Sequence, residues 1–134
     1  MEVLKKYSEA EILNTNPQSL ALVGDAVFSL YVRDFVLMNH KINANSLTKM
    51  VNSVVNAGNQ YKIYRKIENL LTETEIELCH RARNSNMHSK AKNYSVTEYI
   101  YATAFEALLG YLYLTDKKER LNEILKLSVE TIWN

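Results

Sequence analysis

With three glycines and a single proline in 134 residues, this chain nearly lacks the residues a turn-rich β-sandwich or barrel requires; long helices remain. The apolar spacing agrees, because no strand-like alternation of any length occurs. It predicts a short helix over 8–14, halted at Asn16-Pro17, where a cap precedes a proline at the first helical position. A long apolar helix over 17–38 stops at Asn39-His40. Residues 44–70 are helical in pattern, with Asn56-Ala57-Gly58-Asn59 a point of interruption. Thr72 and Glu75 form a capping box that opens a helix to Arg83, and Ser95 and Glu98 form another that opens an apolar helix to Leu114. Asp116-Lys-Lys-Glu119 opens a last amphipathic helix with Leu121, Ile124, Leu125, Val129 and Ile132 on one side. Asn84–Asn93 reads as a polar loop. Without repeats or a linker, this length suits one all-α domain.

Composition narrows the setting. One cysteine, Cys79, excludes an intrachain disulfide framework and fits a reducing cytosol, and the N-terminus shows no secretory h-region; a cytoplasmic protein is expected. The stretch from Leu20 to Met38 is apolar enough to raise the membrane question. It contains Asp25, Arg33 and Asp34, each costing roughly 2.5–3.5 kcal/mol at a bilayer centre, so it reads as a buried helix with no membrane partner. The net charge of +1 conceals an asymmetry. Residues 35–67 carry Lys41, Lys49, Lys62, Arg65 and Lys66 with no acid, and residues 78–97 carry Arg81, Arg83, Lys90 and Lys92 with none. Two purely basic stretches either form solvated helix faces or present a local field to a polyanion.

The two apolar helices share an oddity. In the first, Asp25 stands among Leu22, Val23, Ala26, Val27 and Phe28, with Ser29 and Arg33 at successive spacings of four. In the second, Glu106 is the only charge between Tyr99 and Leu114, on a narrow stripe with Tyr99, Thr103 and Gly110. Gly24 and Gly110 sit inside these same helices, where a glycine costs roughly 1 kcal/mol relative to alanine. Close backbone approach is the return, bringing the Asp25 and Glu106 faces together. Two adjacent carboxylates either share a proton or hold a cation, and all-oxygen ligation suits Mg²⁺ or Mn²⁺. His40, Cys79, His80 and His88 have no zinc-ligand spacing. Glu73, Glu75 and Glu77 read as solvated carboxylates near a helix start, which argues against an all-α nucleotide pyrophosphohydrolase.

These residues carry a resemblance. Leu20-Ala-Leu-Val-Gly-Asp-Ala-Val-Phe28 resembles the signature helix of the ribonuclease III catalytic domain, and Thr103-Ala-Phe-Glu-Ala-Leu-Leu-Gly-Tyr-Leu-Tyr113 resembles its second signature. The chain is most similar to the Mini-III ribonucleases, which consist of this domain alone, through Gly24–Arg33, Arg81-Ala-Arg-Asn84 and the Tyr-rich entry to the second signature. The resemblance spans roughly residues 17–132 and implies one ribonuclease III-type endonuclease domain over 1–134, with no double-stranded-RNA-binding domain. The pattern is departed from at Ala21 and Thr103, where the larger enzymes carry Glu and Asp, and at Gly58, where Mini-III chains usually carry a basic residue.

The resemblance implies a homodimeric endoribonuclease that hydrolyses duplex RNA, leaves a 5′-phosphate and matures a large-subunit ribosomal RNA precursor. Asp25 and Glu106 are the expected catalytic and Mg²⁺-binding residues, with Mn²⁺ able to substitute; Ser29 and Thr103 are candidates to aim them. For RNA phosphates the first choices are Arg81, Arg83, Lys90 and Lys92, followed by Lys62 and Arg65. Leu30, Tyr31, Phe35 and Val36 offer apolar surface for a dimer, though the sequence does not separate interface from core. The rival reading is a ribonuclease III-like dimer that no longer cuts and acts as a structured-RNA or ribosome-assembly binding module.

Overall fold

The computed structural model describes residues 1–85 and 95–133, and among these the regular secondary structure is all helical, with no strand. Seven α-helices follow in order: α1 (Glu9–Leu13), α2 (Pro17–Asn39), α3 (Ala44–Val54), α4 (Ala57–Ile67), α5 (Glu73–Asn84), α6 (Val96–Leu114) and α7 (Lys118–Ile132). A 3₁₀ turn, Glu68–Leu70, closes α4. No helix of the described residues is long and apolar enough to cross a membrane.

Local chemistry sets the boundaries. Asn16 caps α2 by accepting from the Gln18 amide, with Pro17 next. Thr72 with Glu75, and Ser95 with Glu98, form the two anticipated capping boxes. A third, Ser8 with Glu11, opens α1. The 44–70 stretch is interrupted at the first residue of the suggested point: Asn56 is an N-cap accepting from the Asn59 amide, and Ala57, Gly58 and Asn59 are already helical. The last helix starts later than its sequence suggests. Asp116 adopts φ 57° in a left-handed turn, so α7 begins at Lys118.

The core is organised around α6, which is buried over most of its length and packs against α2, α4, α5 and α7. Its most extensive partner is α2. Phe28 and Phe105 meet edge to face at 5.2 Å between centroids, both fully buried. Gly110 lets the two backbones close, since a Cβ there would stand 2.0 Å from the Leu20 carbonyl oxygen.

One sequence expectation is corrected. Glu75 is not a solvated carboxylate: it is 3% exposed, its carboxylate accepts from Arg120 at 2.7 and 2.9 Å, and the Arg120 guanidinium also donates to the Leu70 carbonyl. It thereby ties α7 to α5, and its capping role explains why an acid tolerates burial there. Among the apolar residues that the sequence leaves open between interface and core, Val36 is core at 1% exposed, and Phe35 stacks on Trp133 at 5.1 Å.

Candidate active site

Asp25 and Glu106 converge. Both line a cleft of about 370 Å³, together with Gln18, Ala21, Leu22, Ala57, Gln60, Tyr99, Ala102 and Thr103. Asp25 is exposed at the α2 side, whereas Glu106 is partly buried on α6. Burial first, and then the neighbouring Asp25 carboxylate, pushes the Glu106 carboxyl up to about 9. Burial and the adjacent acid both work against a negative charge on Glu106, and an oxygen-seeking cation would supply the missing positive charge. The donor set fits such an ion: two carboxylates and no sulfur or imidazole line the cleft. Among the described residues, no group of three or more His, Cys, Asp and Glu side chains is clustered, so the acid count of the site stops at two.

The positions that depart from the larger enzymes' pattern belong to this same cleft. Ala21 and Thr103 both line it, and neither is acidic. The Thr103 hydroxyl donates to the Tyr99 carbonyl at 3.0 Å. Ser29, one turn along α2 from Asp25, is half-buried and is not among the lining residues.

Gln60 was invisible to motif reading. It lies on α4 and is 4% exposed, and its amide Nε2 donates to Glu106 Oε2 at 3.2 Å. A signal was present: Gln60 shares the buried face of α4 with Ile63, Tyr64 and Ile67, so a polar residue occupies an apolar stripe. Ala57, in the first turn of α4, is the cleft's other contribution from this helix, and Gly58 follows it directly.

The basic candidates separate into distinct environments. Arg81 anchors α1: its guanidinium donates to the Leu13 and Ile12 carbonyls at 2.7 and 3.1 Å, satisfying the open end of that short helix. Arg83 lies over the Tyr101 ring at 4.5 Å, and Arg65 approaches the same ring at 5.9 Å while pairing with Glu68. Tyr61 and Tyr64 pack around that ring, making a basic, aromatic patch on α4, α5 and α6. Lys62 is exposed on α4. Lys90 and Lys92 lie outside the described residues. Cys79 is no nucleophile, since burial pushes its thiol up to about 12.

Comparison with known proteins matches this architecture. A family model described as the Ribonuclease III domain matches residues 18–117. The Mini-ribonuclease 3 of Thermoanaerobacter sp. (strain X514) is 42% identical over 132 residues, covering 98% of this chain and 93% of its own. That of Clostridium tetani is 36% identical over 126 residues, or 93% of this chain and 83% of its own. A crystal structure of a protein from Fusobacterium nucleatum superposes with a TM-score of 0.79 at 34% identity, covering 86% of this chain and 92% of that one.

Proposed function

The chain belongs to the ribonuclease III family, among its Mini-ribonuclease 3 proteins, and from that premise we propose that it is a divalent-cation-dependent endoribonuclease cutting duplex RNA. Asp25 and Glu106 would hold Mg²⁺, with Mn²⁺ able to replace it. The observation that carries this reading is their convergence in one cleft, where neither carboxylate has a basic side chain among the lining residues. When bound, the cation supplies Lewis-acid polarisation of the phosphodiester and a water acidic enough to attack it near neutral pH. Asp25 and Glu106 orient that chemistry from opposite helices. Ala21 and Thr103 leave room for water where larger family members bring further acids.

Recognition of the duplex falls to the patch built from Arg83, Arg65 and Tyr101, with exposed Lys62 on the same helix as Arg65. Such contacts meet phosphates and 2′-hydroxyls rather than base edges. A second copy of the chain completes the grip on two strands. The exposed apolar face of α2 suits that contact: Leu22 and Leu30 are 73% and 54% exposed, and with Val23, Ala26 and Val27 they line a groove of about 900 Å³. Leu22 also lines the carboxylate cleft, so a dimer through this face would hold the two clefts close to the joint. On this reading the natural substrate is a precursor of large-subunit ribosomal RNA in the bacterial cytoplasm, as the family likeness implies.

One observation favours the rival reading of a duplex binder that does not cut: the cleft holds two acids, not four. Against it stands Glu106 itself, since a binder gains nothing from a partly buried carboxylate beside another acid. Incubating the protein with duplex and single-stranded RNA across Mg²⁺ and Mn²⁺ titrations separates the two. Cutting confined to the duplex, with 5′-phosphate ends, is expected; intact duplex at every metal concentration would leave the binder.

A further inference from the structure

We propose that Gln60 is a positioning residue of the cation site, fixing one oxygen of Glu106 so that the carboxylate is presented to Asp25 in a single orientation. This assignment rests on the cation site proposed above. Gln60 is buried at 4% exposure, among Ile63, Tyr64 and Ile67, where an apolar residue would pack without the desolvation cost of an amide. The cost is offset by a hydrogen bond from Nε2 to Glu106 Oε2 at 3.2 Å, which joins α4 to α6. Here the amide nitrogen donates and the Glu106 oxygen accepts, an arrangement that favours the ionised carboxylate a cation requires. Glu106 is thus held from the α4 side while Asp25 approaches it from α2. A long, rotatable Glu side chain would otherwise have to be ordered when the ion binds, and partners that orient a ligand in advance typically govern metal affinity.

The test is Mn²⁺ binding, followed by calorimetry or electron paramagnetic resonance, in wild type, Gln60→Met and Glu106→Gln. Met matches the shape of Gln without its N–H and suits an apolar stripe, so the melting temperature should hold or rise. Gln60→Met should weaken Mn²⁺ binding about tenfold or more. Duplex cleavage should fall at limiting metal and recover at saturating metal, with the KM for RNA unchanged. A dissociation constant within twofold of wild type overturns the assignment. Should Gln60→Met fail to fold, Gln60→Asn decides by the same criterion, since it keeps the amide but withdraws it by one methylene. Glu106→Gln separates the two levels: if it still binds Mn²⁺ like wild type, the cation site itself is wrong and Gln60 falls with it. If it loses binding while Gln60→Met retains it, only the role of Gln60 is wrong.

Discussion

Gly24 lies directly on the backbone of Glu106: a Cβ at position 24 would stand 1.7 Å from the Glu106 carbonyl oxygen and 2.9 Å from the Gly110 amide nitrogen. The two acids are brought together because their helices touch at main-chain distance beside them. Neither obstructing atom can move without displacing a helix, so relief by side-chain rotation is closed. Gly24→Ala and Gly110→Ala should each destabilise the protein by about 3 kcal/mol or more, at the upper end of overpacking costs. Urea unfolding measures this, and a loss under 0.5 kcal/mol for either would contradict the close crossing.

Raising the Glu106 carboxyl from 4.5 to about 9 has a consequence for the metal-free protein. Between those pH values the folded state retains a proton that the unfolded chain has released, so stability falls as pH rises, by up to about 1.4 kcal/mol per unit. Glu106→Gln removes that proton difference. The melting temperature of chelator-treated wild type should therefore drop below that of Glu106→Gln as pH moves from 5 to 9. Millimolar Mn²⁺ at pH 8 should close the gap by stabilising wild type alone. Parallel curves for the two proteins would refute the electrostatic picture of the pair.

The arginines are predicted to divide by role. Arg81 spends its guanidinium on the Leu13 and Ile12 carbonyls, so Arg81→Ala should cost about 1–3 kcal/mol of stability. The salt dependence of its RNA binding should match wild type. Arg83→Ala combined with Arg65→Ala should do the reverse, lowering the slope of log K against log salt by about one per lost phosphate contact. Filter binding across 50–300 mM salt checks it; an unchanged slope in the double variant would move the RNA surface elsewhere.

The exposed face of α2 predicts the oligomer. Leu30→Glu sets a charge in the middle of the apolar groove without touching the core, since Leu30 is 54% exposed. Sedimentation equilibrium should show a wild-type dimer and a Leu30→Glu monomer of equal helical content. A monomeric wild type, or a variant that remains dimeric, would count against this face.

Much of the fold was legible because its signals are local. Asn16-Pro17, Thr72 with Glu75 and Ser95 with Glu98 each satisfy helix-end amides with adjacent side chains, so spacing alone reveals them. Asp25 and Glu106 were legible for a different reason, as charges that an apolar helix does not otherwise tolerate, beside glycines it does not need. What remained hidden depends on partners distant in sequence. Glu75 looks like an ordinary first-turn acid until Arg120, 45 residues away, closes over it. Gln60 interrupts the apolar stripe of α4, but what it serves shows only when α4 is laid against α6, since its contact lies 46 residues distant. Arg81 looked available to RNA because nothing near it in sequence announces that it holds the end of α1. Asp116 misled for a local reason, since an acid before two lysines resembles a helix start but here occupies a left-handed turn.

The most direct test is cleavage of a duplex RNA by wild type, Asp25→Asn and Glu106→Gln over a Mg²⁺ titration, with circular dichroism confirming equal folding. Both substitutions nearly preserve shape and remove only the charge that would hold the ion. Loss of partners that merely orient a metal ligand costs 10–100-fold, so loss of a ligand should reduce the rate by about 100-fold or more in each variant. Cleavage by either variant at a rate near wild type would show that the paired carboxylates do not carry the chemistry.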